Sequence, residues 1–412
     1  MKKISVNKTV LQNGLTVITS YRDSDIFSMG VGIKVGSFYE SESNNGISHM
    51  IEHMIFKGTA KRDVDKLNDD IEKLAGNFDI YTTYHQTVLT LDVMKNKGKD
   101  CFEIVSDMLM NSTFPEKEFK LEKKVIVEEI KMAEDDPEDC SYLGLYKEAF
   151  PEKYYRYNIA GTIKSVRSIN LDMLHKFYNE YYIPDNTVIC VVSSYSHEEI
   201  INMIEQYFGN WQRGNTSYLK HEEQQIIPKK VVRHKIGMTQ THILYGFDIQ
   251  HLNKREEFAL TLLNEKIGAG ANSVLFRELR DRKGYAYNVY SDIDFIPNLK
   301  MFYIYAGISE ENLNDTLSII DSVVERCRNS ALELDEKSIM LVKEKFLTDT
   351  AIALESSSHI VDFLLGGEMD YGNPIQYQDF LENIDGITVD HIKAVANKVF
   401  INPIIHILSP KK

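Results

Sequence analysis

The stretch Gly46–Thr59, GISHMIEHMIFKGT, constrains this chain more than any other part of it. It sets His49, Glu52 and His53 in the pattern H-x-x-E-H within a mostly apolar run. If the run is helical, the two histidines lie four residues apart on one face, about 6 Å apart along the axis. Two imidazoles at that spacing can both reach one Zn²⁺ with bonds of about 2.0–2.1 Å. Glu52 falls on the neighbouring row, close enough to reach a water on the metal without ligating the metal itself. That is the position a general base needs. A histidine pair on a helix also fits a solvated surface or a hydrogen-bonded core, so the pattern alone leaves both readings open.

Composition narrows the setting. A chain of 412 residues suggests two to three domains, and 43% apolar residues can build sizeable cores. The net charge of −14, from 47 basic and 61 acidic residues, disfavours nucleic acid and anionic membrane as partners. The N-terminal residues MKKISVNKTVLQNG carry two lysines with no apolar run behind them, unlike a signal peptide, and no apolar run approaches a membrane span. Cys101, Cys140, Cys190 and Cys327 are scattered and form no C-x-x-C, which reads as buried thiols in a reducing compartment. The expectation is a cytoplasmic protein with no nucleic-acid or membrane partner.

Along the chain, Asn13-Gly14 between apolar flanks signals a hairpin. Val31, Ile33 and Val35 alternate with Gly30, Gly32, Lys34 and Gly36. That is a strand with one nearly bare face, suited either to close approach of a helix or to a ligand at an edge. Helices are expected over 64–75, 100–110, from Pro115 to before Pro137, 171–181 and 198–208, with strands within 78–94 and over 187–192. Residues 212–230 turn polar and hold Gly214, Asn215, Thr216, Ser217 and Pro228. This places a linker at 213–229 between domains 1–212 and 230–412. The second half then repeats the coarse order. Strands are expected at 241–247, 287–292 and 300–307, and helices at 256–267, 273–282, 312–331, 335–353 and 389–399, which suggests a duplication.

A catalytic zinc usually takes three protein ligands and keeps one position open. On the helix after Pro115, Glu129 has Val125, Ile126, Met132 and Ala133 at its i±3 and i±4 positions, and Glu122 lies seven residues earlier on the same stripe. A buried carboxylate is costly unless it is paired or ligates a cation. Boundary carboxylates with heads in solvent would show the same spacing. Weighed with the two histidines, Glu129 is the expected third ligand and Glu122 a carboxylate that supports the ligands from behind. Glu128, beside Lys124 and Lys131, should face water.

At this point the residues resemble a known family. His49-x-x-Glu52-His53 followed by Glu129 is similar to the inverted zinc motif of the pitrilysin-type metallopeptidases, especially the subgroup of the mitochondrial processing peptidase and its bacterial relatives. NGLTVI at 13–18, GISHMIEHMIFKGT, KKVIVEEIKMAEDDPED at 123–139 and GANSVLFRELRDRKGYAY at 270–287 all resemble family blocks, so the likeness spans nearly the whole chain. It implies an α+β fold of two related domains, each a mixed or antiparallel sheet packed with helices, together forming half of a clamshell. It also implies that Arg280 and Tyr287 reach the active site from the second domain and stabilise an oxyanion. Without the resemblance, Arg280 reads as part of a charged helix face and Tyr287 as strand core. The family's usual Asn-Ala in the substrate-pairing edge strand is here Asp79-Ile80. The aspartate either favours basic residues in the substrate or lowers activity.

The expected chemistry is peptide hydrolysis with one Zn²⁺ per chain on His49, His53 and Glu129. Glu52 acts as general base and then acid, and Arg280 and Tyr287 hold the oxyanion. An extended peptide would add a strand near Asp79, Tyr81 and Thr82. Phe56 lines a side-chain pocket or packs in the core, and His85 is a strand histidine at the substrate edge or an extra ligand. Relatives of this length pair two chains, so a homodimer is expected, or a heterodimer with a related chain. The competing readings are a non-catalytic binding or assembly subunit of a heteromeric peptidase, and a maturation peptidase devoted to one precursor.

Overall fold

The computed structural model describes residues 3–150, 156–214, 225–270, 272–329, 332 and 334–411. Two compact units are present. One comprises Met1–Lys131, Tyr157–Lys220 and Thr350–Asp379, and the other Met132–Arg156, His221–Asp349 and Phe380–Lys412.

The first unit is built on a six-stranded sheet. Its strands are β1 (Asn7–Val10), β2 (Thr16–Tyr21), β3 (Ile26–Ile33), β4 (Asn77–Thr82), β5 (Thr87–Met94) and β6 (Thr187–Ser193), in the order β1-β2-β6-β3-β5-β4. The β1–β2 hairpin forms where Asn13-Gly14 signals it. Gly14 takes φ +92°, and Val10 pairs with Thr16 across the loop. The core joins β3 residues Met29, Val31 and Ile33 to Met50, Ile51 and Met54 of the Ile47–Met54 helix and to Phe102, Val105 and Met108 of the Gly98–Asn111 helix. The strand β4 stands at the sheet edge, with exposed residues alternating with half-buried ones.

The second unit holds β7 (Lys229–Lys235), β8 (Thr241–Asp248), β9 (Ala286–Ile296), β10 (Leu299–Ile308) and β11 (Ile404–Pro410), in the order β7-β11-β8-β10-β9. Strand for strand this repeats β2-β6-β3-β5-β4. The first pair is parallel and the next three pairs are antiparallel in both sheets. The α+β reading with two related domains therefore holds, and the shared strand order and direction show the repeat more clearly than residue similarity does.

The two halves of the chain exchange helices, which a single boundary at 213–229 does not express. The Pro137–Ala149 helix, from the first half of the chain, packs on β8 and β11, and the Ser357–Tyr371 helix, from the second half, packs on β3 and β6. The bare face of β3 is what admits the latter. A Cβ added at Gly30 would stand 2.6 Å from Val361 Cγ1, and one at Gly32 would stand 2.9 Å from Met369 Sδ. Of the two uses open to that glycine face, close approach of a helix is the one realised.

Most expected elements lie within a few residues of the expected bounds. The 273–282 segment differs. It forms a short Val274–Phe276 turn of helix followed by a π-helical turn, Arg277–Asp281. Residues 215–224 of the expected linker, Ala271, and the expected helix end at Ala331 lie outside the described residues. Among the described residues no helix is long and apolar enough to cross a membrane.

Candidate metal centre

The helix that carries the motif begins at Gly46, whose φ of +93° lies in the left-handed region that favours glycine. Its free N-terminal amides are met by Glu40. One carboxylate oxygen accepts from Gly46 N at 2.7 Å and Asn45 Nδ2 at 2.8 Å, and the other accepts from Ser48 N at 2.9 Å. Glu40 is buried, and burial pushes its carboxyl up despite these bonds. A glutamate six residues ahead of a glycine that opens an apolar helical run is the signal that marks it.

On this helix His49 and His53 stack edge to face, with ring centroids 4.7 Å apart. Glu129, on the Glu116–Asp135 helix, brings Oε2 to 3.5 Å from His53 Nε2 and 3.9 Å from His49 Nε2. These three residues form the one group of metal-ligating side chains found among the described residues, each offering a ligand atom within 4.8 Å of the others. His85 does not join them. Its Nε2 lies 2.7 Å from Asp370 Oδ1. Glu128 bonds Lys131 at 2.7 Å on the exposed side, as expected.

Glu129 is not buried as its stripe suggests. Ile126 and Ile130 are buried, whereas Val125 and Met132 are exposed and Glu129 is half-exposed. It sits at the border between the core row and an outer row. Glu122 is the buried member. It takes His53 Nδ1 at 2.8 Å on one oxygen and Lys57 Nζ at 2.9 Å on the other. Burial works to raise the Glu122 carboxyl, but the Lys57 and His53 contacts prevail and hold it below the usual range.

These donors fit a zinc ion. Two imidazole nitrogens and one carboxylate oxygen converge, and the back of His53 is fixed by a carboxylate, the common support for a metal-bound histidine. Burial, and secondarily the nearby His53, lowers His49 to about 4, so its ring is neutral and able to ligate at neutral pH. Glu52 is half-buried beside the group, and its Oε2 has no hydrogen-bond partner among the described residues. Burial raises its carboxyl; a Thr82 hydroxyl contact lowers it, and the charges of Glu129 and Asp79 raise it further.

The remaining expected residues fall as follows. Phe56 is half-buried and packs edge-on against Phe78, with centroids 5.3 Å apart. Asp79 and Tyr81 are exposed on edge strand β4, and Thr82 on the same strand turns toward Glu52. In the second unit the Arg280 guanidinium lies over the Phe276 and Tyr287 rings at 4.9 and 5.0 Å, and Arg280 Nη1 donates to the Tyr287 carbonyl at 2.8 Å. Tyr287 is 79% exposed, so it is not the strand-core residue that its position alone suggests.

Comparison with known proteins places this geometry in context. Residues 16–163 match the family model described as Insulinase (Peptidase family M16), and residues 168–343 match the one described as Peptidase M16 inactive domain. His49, Glu52, His53 and Glu129 all lie in the first span. An uncharacterized zinc protease of Bacillus subtilis, YmxG, is 27% identical over 397 residues, covering 96% of this chain and 96% of its own. An uncharacterized zinc protease of Rickettsia bellii is 27% identical over 405 residues, covering 97% of this chain and 96% of its own. Among solved structures, a protease from Helicobacter pylori superposes with a TM-score of 0.91 at 21% identity, over 99% of this chain and 100% of that one. A peptidase M16 inactive domain from Pseudomonas fluorescens superposes with a TM-score of 0.89 at 20% identity, over 99% and 98%. These two structures share the fold.

Proposed function

Because this chain belongs to peptidase family M16, we propose that it is a zinc-dependent endopeptidase acting on extended, unfolded peptides or a peptide precursor. The observation that carries this reading is the convergence of His49, His53 and Glu129, with a Glu52 oxygen beside them that has no partner among the described residues.

His49, His53 and Glu129 would hold the zinc. When bound, the ion supplies Lewis acidity, enough to bring the pKa of a water toward about 7. The remaining work belongs to side chains. Glu52 takes the proton of the attacking water and returns it to the leaving amine. Its raised carboxyl lies closer to neutrality than an exposed glutamate, which suits it to both transfers. The open edge of β4 offers unpaired backbone groups to an extended peptide, with Asp79 and Tyr81 on its exposed face and Phe56 packed behind it against Phe78. Arg280 and Tyr287 are assigned as donors to the oxyanion that develops on the peptide carbonyl. One chain carries both the metal-binding set and this Arg/Tyr pair, so a homodimer is chemically self-sufficient. Sedimentation of the pure chain tests that assembly.

The experiment is hydrolysis of a quenched fluorescent peptide library, with zinc measured on the same sample. Chelator-sensitive cleavage at about one zinc per chain is expected. Zinc bound at that level without cleavage of any peptide, folded precursor or partner-supplemented substrate contradicts the enzymatic reading and favours a binding or assembly role.

A further inference from the structure

The two histidines are supported unequally. His53 Nδ1 meets Glu122 at 2.8 Å, and Glu122 is met in turn by Lys57 at 2.9 Å. His49 Nδ1 is buried and has no hydrogen-bond partner among the described residues. We propose that Lys57 is a positioning residue for the metal: through Glu122 it fixes the ring orientation and tautomer of His53, although it touches neither metal nor substrate. The inference rests on the zinc site proposed above.

The chain builds a platform for this lysine. The metal helix ends at Met54, and Lys57 N closes the next turn on the Met54 carbonyl at 3.1 Å. Gly58 then takes φ +117°, and its carbonyl accepts from Thr113 N at 3.2 Å. Thr59 Oγ1 donates to Asp107 at 2.7 Å, and Arg62 reaches the same aspartate at 2.5 Å and Glu103 at 2.7 Å. The turn that presents Lys57 is thus tied through Gly58 to Thr113, and through Thr59 and Arg62 to the Gly98–Asn111 helix.

Each Glu122 oxygen has one of the two partners, and the group is buried. With Glu122 as acceptor, the His53 proton must sit on Nδ1, which leaves the Nε2 lone pair on the side of Glu129. Removing the lysine donor leaves one buried carboxylate oxygen without a partner. Glu122 must then turn to find one, and the restraint on His53 goes with it. His49 has no comparable restraint, so the His53 arm is preset and the His49 arm settles when metal enters.

A lysine that acted only as a charge would have the opposite effect. A cation near the site repels a divalent ion, so its removal would tighten zinc binding. The sign of the change therefore separates the two roles.

The test uses the full-length chain as wild type, Lys57→Met and Lys57→Arg. Zinc affinity is read by chelator competition, and the His53 tautomer is read in metal-free protein by ¹⁵N NMR. Lys57→Met is expected to weaken zinc binding about 10- to 100-fold and to shift His53 from the Nδ1–H form to a mixture, with Lys57→Arg restoring both in large part. Unchanged or tighter zinc binding with an unchanged His53 signal overturns the proposal. The tautomer readout needs no metal. If wild type failed to bind zinc, the functional reading would fall, while the role of Lys57 would still be decided by the NMR signal. Should Lys57→Met fold poorly, Lys57→Gln, which keeps a donor and drops the charge, gives the same decision: affinity near wild type supports positioning, and tighter binding overturns it.

Discussion

The carboxylate of Glu40 accepts a hydrogen bond from Gly46 N at 2.7 Å, closing the start of the helix that carries His49 and His53. Glu40→Ala strips Gly46 N and Ser48 N of their acceptor in a buried setting, while Asn45 Nδ2 keeps its bond to the Asn158 carbonyl at 2.9 Å. The expected cost is about 2–4 kcal/mol in urea unfolding, with zinc affinity reduced as the helix start frays. Unfolding of wild type and variant with and without zinc checks both effects.

Gly30 and Val361 fit by the absence of a side chain. A Cβ at Gly30 would come within 2.6 Å of Val361 Cγ1 and 3.0 Å of Leu365 Cδ2. Gly30→Ala should therefore destabilise the first unit by about 1–3 kcal/mol and speed proteolysis around residues 350–356, as the exchanged helix lifts. Adding Val361→Ala should recover much of the loss. A double variant no better than Gly30→Ala alone would show that the helix is not what Gly30 accommodates.

His406 sets an acid limit on stability in the second unit. It is buried on β11 with neither ring nitrogen hydrogen-bonded to a described residue, and burial lowers it from 6.5 to about 4, against a smaller opposing pull from Glu148 and a further push from Arg233. Above 6.5 both folded and unfolded chains hold it neutral. Between 6.5 and about 4 the unfolded chain takes up a proton that the folded chain refuses, so stability falls as pH drops through that window. The full effect is about 3 kcal/mol. Unfolding measured from pH 7 to 4 should show the slope, and His406→Leu should flatten it.

Arg280 and Tyr287 brace each other through the stacked guanidinium and the 2.8 Å bond to the Tyr287 carbonyl. Tyr287→Phe keeps the ring and removes only the phenol donor, whereas Arg280→Ala removes a donor and the stack. If both serve the oxyanion, each variant should lower kcat on the order of 100-fold at unchanged zinc content, with Arg280→Ala the more severe. Stopped assays with zinc quantified on each sample check this.

Helical spacing made His49, Glu52 and His53 legible, because three residues on one turn of one helix are fixed relative to each other by local geometry. Glu129 was legible through a premise only partly met, since Ile126 beside it is buried while Val125 and Met132 are not. Periodicity reports that a helix has an apolar side, not how far that side reaches. The Lys57–Glu122 pair and the contact of Thr82 with Glu52 depend on folding distant segments together, which no local pattern encodes. The exchanged helices were missed for a related reason. Ser357–Tyr371 carries Gly366 and Gly367 and covers a sheet from the other half of the chain, and sequence order offers no sign of that partner.

The central claim is that Glu52 moves protons beside a zinc held by His49, His53 and Glu129. The most direct measurement is peptide hydrolysis by Glu52→Gln, with zinc content determined on the same preparation. The account predicts about one zinc per chain, as in wild type, and a kcat lowered by about 100- to 10,000-fold. A zinc-loaded Glu52→Gln enzyme that cleaves at the wild-type rate would contradict it.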